Sequence, residues 1–162
     1  MTEAYRVPKL QIPVEVLLAG GTTLSLSIFL SECAQSHAGY ERPSDLLNGP
    51  DPFIPATDGG DGVQFVHRDG LVSIRVPARH ETSEQGGHGG AGLVPDEAVR
   101  AKVEVIVEQG PGLRGVVAYV MPEGQRRLQD VLNLKDQFLI LHDGDLVHLV
   151  NKRRILRVTA IS

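Results

Sequence analysis

Residues 42–54, Arg-Pro-Ser-Asp-Leu-Leu-Asn-Gly-Pro-Asp-Pro-Phe-Ile, return at 127–139 as Arg-Leu-Gln-Asp-Val-Leu-Asn-Leu-Lys-Asp-Gln-Phe-Leu. At a constant offset of 85, Arg42 meets Arg127, Asp45 meets Asp130, Leu47 meets Leu132, Asn48 meets Asn133, Asp51 meets Asp136 and Phe53 meets Phe138. The correspondence continues outside that block: Val14-Glu15-Val16 matches Val103-Glu104-Val105, Leu24 matches Leu113, Asp58-Gly59 matches Asp143-Gly144, and Val63 and Val66 match Val147 and Val150. A period of this kind divides the 162 residues into two units of roughly 65 to 75 residues each. Units so small are hard to stabilise alone, because too little of their surface is removed from water. Each is expected to lean on its twin or on another chain, with Phe53 and Phe138 in equivalent surroundings.

Only 4% of the residues are aromatic and Trp is absent, so the core must be built from Val, Ile and Leu, which suits pleated sheet. The single cysteine, Cys33, excludes an internal disulfide framework and is compatible with a reducing compartment. The N-terminus lacks the basic-then-apolar pattern of a secretory signal, and no apolar run approaches the length of a membrane span, so a cytoplasmic protein is expected, without membrane contact. A formal net charge of -4 argues against indiscriminate attraction to nucleic acid or anionic lipid, while leaving room for a local basic patch.

Along the chain, Ile12 to Leu18 and Leu24 to Leu30 flank Gly20-Gly21-Thr22-Thr23 and predict a hairpin; Lys102 to Val107 and Leu113 to Val120 repeat it around Gly110-Pro111-Gly112. The shared Arg-x-x-Asp-x-Leu-Asn block predicts a short helix. Pro43 fits its first turn, Leu46 and Leu47 point inward, and Asn48-Gly49 ends it in the left-handed conformation; in the second unit Leu128, Val131 and Leu132 make one buried face. Phe138 to Leu141, Leu146 to Val150 and Ile155 to Ile161 read as strands, with a tight turn at Asp143-Gly144. The first unit follows more roughly through Phe53-Ile54, Val63 to Val66 and Leu71 to Val76. The expected class is mainly β: two tandem small barrels or strongly bent sheets, each of about five short strands and one short helix. The first spans 10–78, a flexible glycine-rich linker 79–95, and the second 96–162.

The segment Asp136-Gln137-Phe138-Leu139-Ile140-Leu141, followed by Leu149-Val150-Asn151-Lys152-Arg153-Arg154-Ile155, resembles the second half of Sm-like small barrels, in particular the Hfq-like branch. In that family a similar Asp-Gln-Phe strand start leads to a paired strand and a Tyr-Lys-His turn. Lys152 falls on the family's lysine, whereas Asn151 replaces the tyrosine and Arg153 the histidine. The resemblance implies an Sm-like or SH3-like barrel. It covers roughly 25 residues of one unit. The helix that usually precedes the family's first strand is not evident, and the Arg-x-x-Asp-x-Leu-Asn element stands where the family runs almost directly from strand to strand. Family members bind RNA as rings of identical pockets. Here the first unit carries His67-Arg68-Asp69-Gly70 where the second carries Asn151-Lys152-Arg153-Arg154, which argues against a uniform RNA groove. A tandem barrel with an inserted helix would belong to a bacterial relative that brings no activity with it.

Lys152, Arg153 and Arg154, joined by Arg126 and Arg127, could hold phosphates through charge-assisted hydrogen bonds, although no aromatic residue alternates with them to stack a base. Asp45, Asn48, Asp130 and Asn133 are best placed to cap helix ends and turns, and Asp51 and Asp136 to hold turns. The histidines at 37, 67, 80, 88, 142 and 148 show no helical metal spacing, so no metal and no cofactor is expected. Cys33 lacks an activating arrangement, Ser25, Ser27 and Ser44 lack the Gly-x-Ser-x-Gly elbow, and Gly86 to Gly92 lacks the Lys-Ser/Thr of a phosphate loop. The leading expectation is therefore a non-enzymatic interaction or scaffold module that pairs exposed strand edges with its own copies or with a client protein. RNA or DNA binding through the basic turn of the second unit is the alternative, and an enzyme or a small-ligand sensor in a groove between the units the third.

Overall fold

The computed structural model describes residues 9–32, 39–60, 62–81, 99–119 and 127–161. Arg126, Cys33, His37, His88 and the linker from Thr82 onward lie outside the described residues. The first half comprises β1 (Lys9–Leu18), β2 (Thr23–Ser31), helix α1 (Pro43–Leu47), β3 (Phe53–Thr57), β4 (Gln64–His67) and β5 (Leu71–Pro77). The second comprises β6 (Val99–Val107), β7 (Leu113–Tyr119), α2 (Leu128–Leu132), β8 (Phe138–Asp143), β9 (Leu146–Asn151) and β10 (Ile155–Ala160). The expected mainly β class is met.

Alternation makes these strands. On β1 the side chains of Ile12, Val14 and Val16 turn inward between polar or partly exposed neighbours, and Leu26, Ile28 and Leu30 do the same on β2. Gly20 and Gly21, both at positive φ, let the chain reverse between them. Each half then lays its strands in the same spatial order, β5-β1-β2-β3-β4 and β10-β6-β7-β8-β9. The register recurs as well. Val16 faces Ile74 and Leu18 faces Leu71 across a bulge in the first half, as Val105 faces Val158 and Val107 faces Ile155 across a bulge in the second. Phe53 faces His67 as Phe138 faces Asn151.

The halves do not stand apart. β5 pairs antiparallel with β9, from Ser73 opposite Val150 to Pro77 opposite Leu146, so the ten strands make one open sheet whose outer edges are β4 and β10. The hydrocarbon is shared across this joint. One core gathers β1, β2, β3, β5 and Leu47 of α1, and takes in Phe138, Val147 and Leu149 from the second half. The other gathers β6, β7, Val131 of α2, Leu139, Leu141 and Val150, and takes in Val72 from the first half. The hairpin β8–β9 is therefore buried on both faces.

Two expectations are corrected. Phe53 and Phe138 differ: Phe138 is buried in the neighbouring half's core, whereas Phe53 is exposed, because β9 has a partner edge and β4 has none. Asn48 does not enter the left-handed region, its φ being -91° and that of Asn133 -94°; each helix ends on backbone bonds from the asparagine N–H to carbonyls of its own last turn.

Candidate functional site

The two stretches that differ most in charge adopt the same local fold. Arg68–Gly70 and Lys152–Arg154 are 3-10 turns joining β4 to β5 and β9 to β10. Each is capped by the residue before it: His67 Nδ1 accepts from Asp69 N at 3.0 Å and Asn151 Oδ1 accepts from Arg153 N at 3.0 Å. The first turn residue of each then reaches back to a helix end. Arg68 donates to the carbonyls of Leu47 and Gly49, and Lys152 Nζ donates to Val131 O and Leu134 O, both at 3.2 Å. A cation there adds a donor to carbonyls at the C-terminal end of the helix and meets the negative end of its dipole. Burial lowers the pKa of Lys152, opposed by the neighbouring Asp136.

The remaining two bases of the second turn bind the first half. Arg153 Nη1 lies 2.8 Å from Asp69 Oδ1, and Arg154 donates through Nε and Nη2 to the Asp69 carbonyl at 3.1 and 2.8 Å and through Nη1 to Glu108 at 3.1 Å. Gln137 Nε2 donates to the same Asp69 oxygen at 2.7 Å, and this bond, with the nearby arginine, holds the Asp69 carboxyl below its ordinary pKa. Fully buried Asn151 donates to Leu71 O at 2.8 Å. From the other side Asn48 Oδ1 accepts from Phe138 N at 2.8 Å. These bonds clasp one end of the β5–β9 ladder, where Ser73 faces Val150.

The other repeated positions serve their own helices. Asp45 accepts from Arg42 N at 2.9 Å and pairs with the Arg42 guanidinium, and Asp130 treats Arg127 in the same way, its backbone bond being 3.3 Å long. Asn133, the counterpart of Asn48, is exposed and donates to Gln129 O at 2.9 Å. Arg127 is thus tied to its own helix and is not brought to the Lys152 turn. Asp51 and Asp136 sit in the exposed stretch before each third strand.

Sequence reasoning missed the clasp, whose signal was the reversal of charge between Asp69 and Arg153 at equivalent positions. It also missed Glu81. This buried carboxyl accepts from Ser44 N at 3.2 Å and from Ser44 Oγ, and burial pushes its pKa up to about 7.

Beside the joint, a groove of about 520 Å³ is lined by Glu15, Ser25, Thr57, Asp58, Arg75 and Leu146. Glu15 there accepts from Ser25 Oγ at 3.1 Å. His148 pairs with Asp143 at 3.2 Å at the β8–β9 turn. Among the described residues no group of three or more His, Cys, Asp or Glu side chains converges as metal ligands would, and no helix is long and apolar enough to cross a membrane.

The free edges show what the joint covers. Val72, Phe138, Val147 and Leu149 are buried at the β5–β9 joint, while their repeat counterparts Leu156, Phe53, Val63 and Phe65 are 66%, 53%, 53% and 67% exposed along β10, β3 and β4 with the residue that precedes β4. Comparison of the chain with known protein families, with characterised proteins and with solved structures finds no match.

Proposed function

We propose that the chain is a non-enzymatic assembly module made of two Sm-like or SH3-like small-barrel units in tandem, whose outer strands pair head to tail with further copies of the same chain. In this reading β4 of one copy lies against β10 of the next, as β9 lies against β5 within the chain. The supporting observation is the exposure of Phe53, Val63, Phe65 and Leu156, each the counterpart of a side chain that the internal joint buries. An open edge that carries both unpaired backbone groups and apolar side chains gains from a partner strand on both counts. The two edges differ, so the contact is heterologous and continues until a ring closes or a filament grows.

The nucleic-acid reading draws less support. Lys152, Arg153 and Arg154 are each held by carbonyls or carboxylates of the protein, and a phosphate would have to displace those bonds.

Light scattering tests the assembly. The purified chain should have a mass of several chains that falls on dilution, and Phe65→Asp or Leu156→Asp should each reduce it without loss of far-UV circular dichroism. A wild-type chain that stays monomeric at every concentration would sink the reading.

A further inference from the structure

Asp69 and Arg153 are the middle residues of the two 3-10 turns and occupy the same place in the two halves, yet they carry opposite charge. The internal joint sets one turn against the other and pairs them at 2.8 Å. Both side chains remain partly exposed, 44% for Asp69 and 66% for Arg153.

Resting on the assembly reading above, we propose that this opposition is a pairing code between copies. When β4 of one copy meets β10 of the next in the manner of the internal joint, the Asp69 turn takes the place that the Arg153 turn holds within the chain, and the neighbour's Arg153 turn takes the place of Asp69. The same ion pair forms with its roles exchanged. Pro52 stands where Gln137 does, so the new pair forms without the glutamine amide. A first half set against another first half would instead place Asp69 on Asp69, and a second against a second would place Arg153 on Arg153. Like charges brought together at an interface are strongly disfavoured. The code therefore admits one partner edge for each edge and makes first and second halves alternate through the assembly.

The second polar bond of the joint also has a counterpart. His67 replaces Asn151, and because its Nδ1 accepts from Asp69 N, its proton sits on Nε2, where it can donate to the neighbour's Ile155 carbonyl as Asn151 donates to Leu71.

Complementation tests the code. D69R places arginine on both sides of every joint and R153D places aspartate on both, so each alone should need on the order of tenfold more protein for half-assembly than wild type. In a 1:1 mixture, every joint between unlike chains regains an opposite pair, although neither variant regains its internal one. Light scattering should then show recovery of wild-type size, and mass spectrometry equal amounts of the two chains in the assembly. Single variants that assemble as wild type does, or a mixture no larger than its components, would overturn the code while leaving edge pairing intact. A monomeric wild type would instead remove the assembly reading itself. If a single variant does not fold, the double variant D69R/R153D, which restores both pairs, must assemble as wild type does; a failure there also overturns the code.

Discussion

Asn48 and Asn133 are the same residue at the same place after the same short helix, and they do different work. Asn48 bonds the backbone N–H of Phe138, 90 residues away, at 2.8 Å, whereas Asn133 bonds only the preceding turn. Asn48→Ala should therefore cost about 1–3 kcal/mol, the usual penalty of a part-buried donor left without a partner. Asn133→Ala should cost less than about 0.5 kcal/mol in dilute, monomeric protein, as surface substitutions do. Urea denaturation of the two variants side by side checks the asymmetry. The caps at Asp45 and Asp130 were legible in the sequence, because a cap reaches only three residues along the chain. The bond from Asn48 was not, since its partner is brought there by the sheet.

At the scale of elements, the alternation of β1, β2 and their counterparts announced the strands, and Pro43 with the leucine spacing announced α1. The end of the first half was less legible. Residues 79–95 read as a linker, yet Ala78–His80 form a 3-10 turn and the following Glu81 is bound to Ser44 in the first turn of α1. A carboxyl whose pKa rises from 4.5 in the unfolded chain to about 7 in the folded one makes folding favour its protonated form. Its contribution is complete below pH 4.5, declines as pH rises, and is lost once pH passes about 7. The loss amounts to about 3–4 kcal/mol at most, because a tenfold change in proton affinity corresponds to about 1.4 kcal/mol. Between pH 5 and 8, the urea midpoint of wild type should fall with pH while that of Glu81→Gln falls less; parallel curves would assign the dependence to other groups. Composition could not have pointed to Glu81, because a polar residue at the head of a glycine-rich stretch becomes buried only when the α1 N-terminus is folded against it.

Over the whole molecule, the proposed assembly joins two different edges, β4 and β10, and each edge variant keeps one of them intact. Phe65→Asp retains β10 and Leu156→Asp retains β4, so each should be monomeric alone, while an equimolar mixture should form pairs of one chain of each kind and nothing larger. Analytical ultracentrifugation of the mixture reads this directly, and chains of indefinite length would contradict it. The recurring sequence block can be read from the order of residues alone, as can the strand pattern and the short helix, since periodicity and local hydrogen bonding depend on neighbours a few positions apart. Which copy of each repeated residue is buried depended on the tertiary structure. Phe53 and Phe138 are identical in type and lie in matching strands, and they differ only because β9 has β5 beside it while β4 stands at the edge of the sheet. A pairing between strands so distant in the chain is governed by which edges meet in space, and no local pattern of residues encodes that.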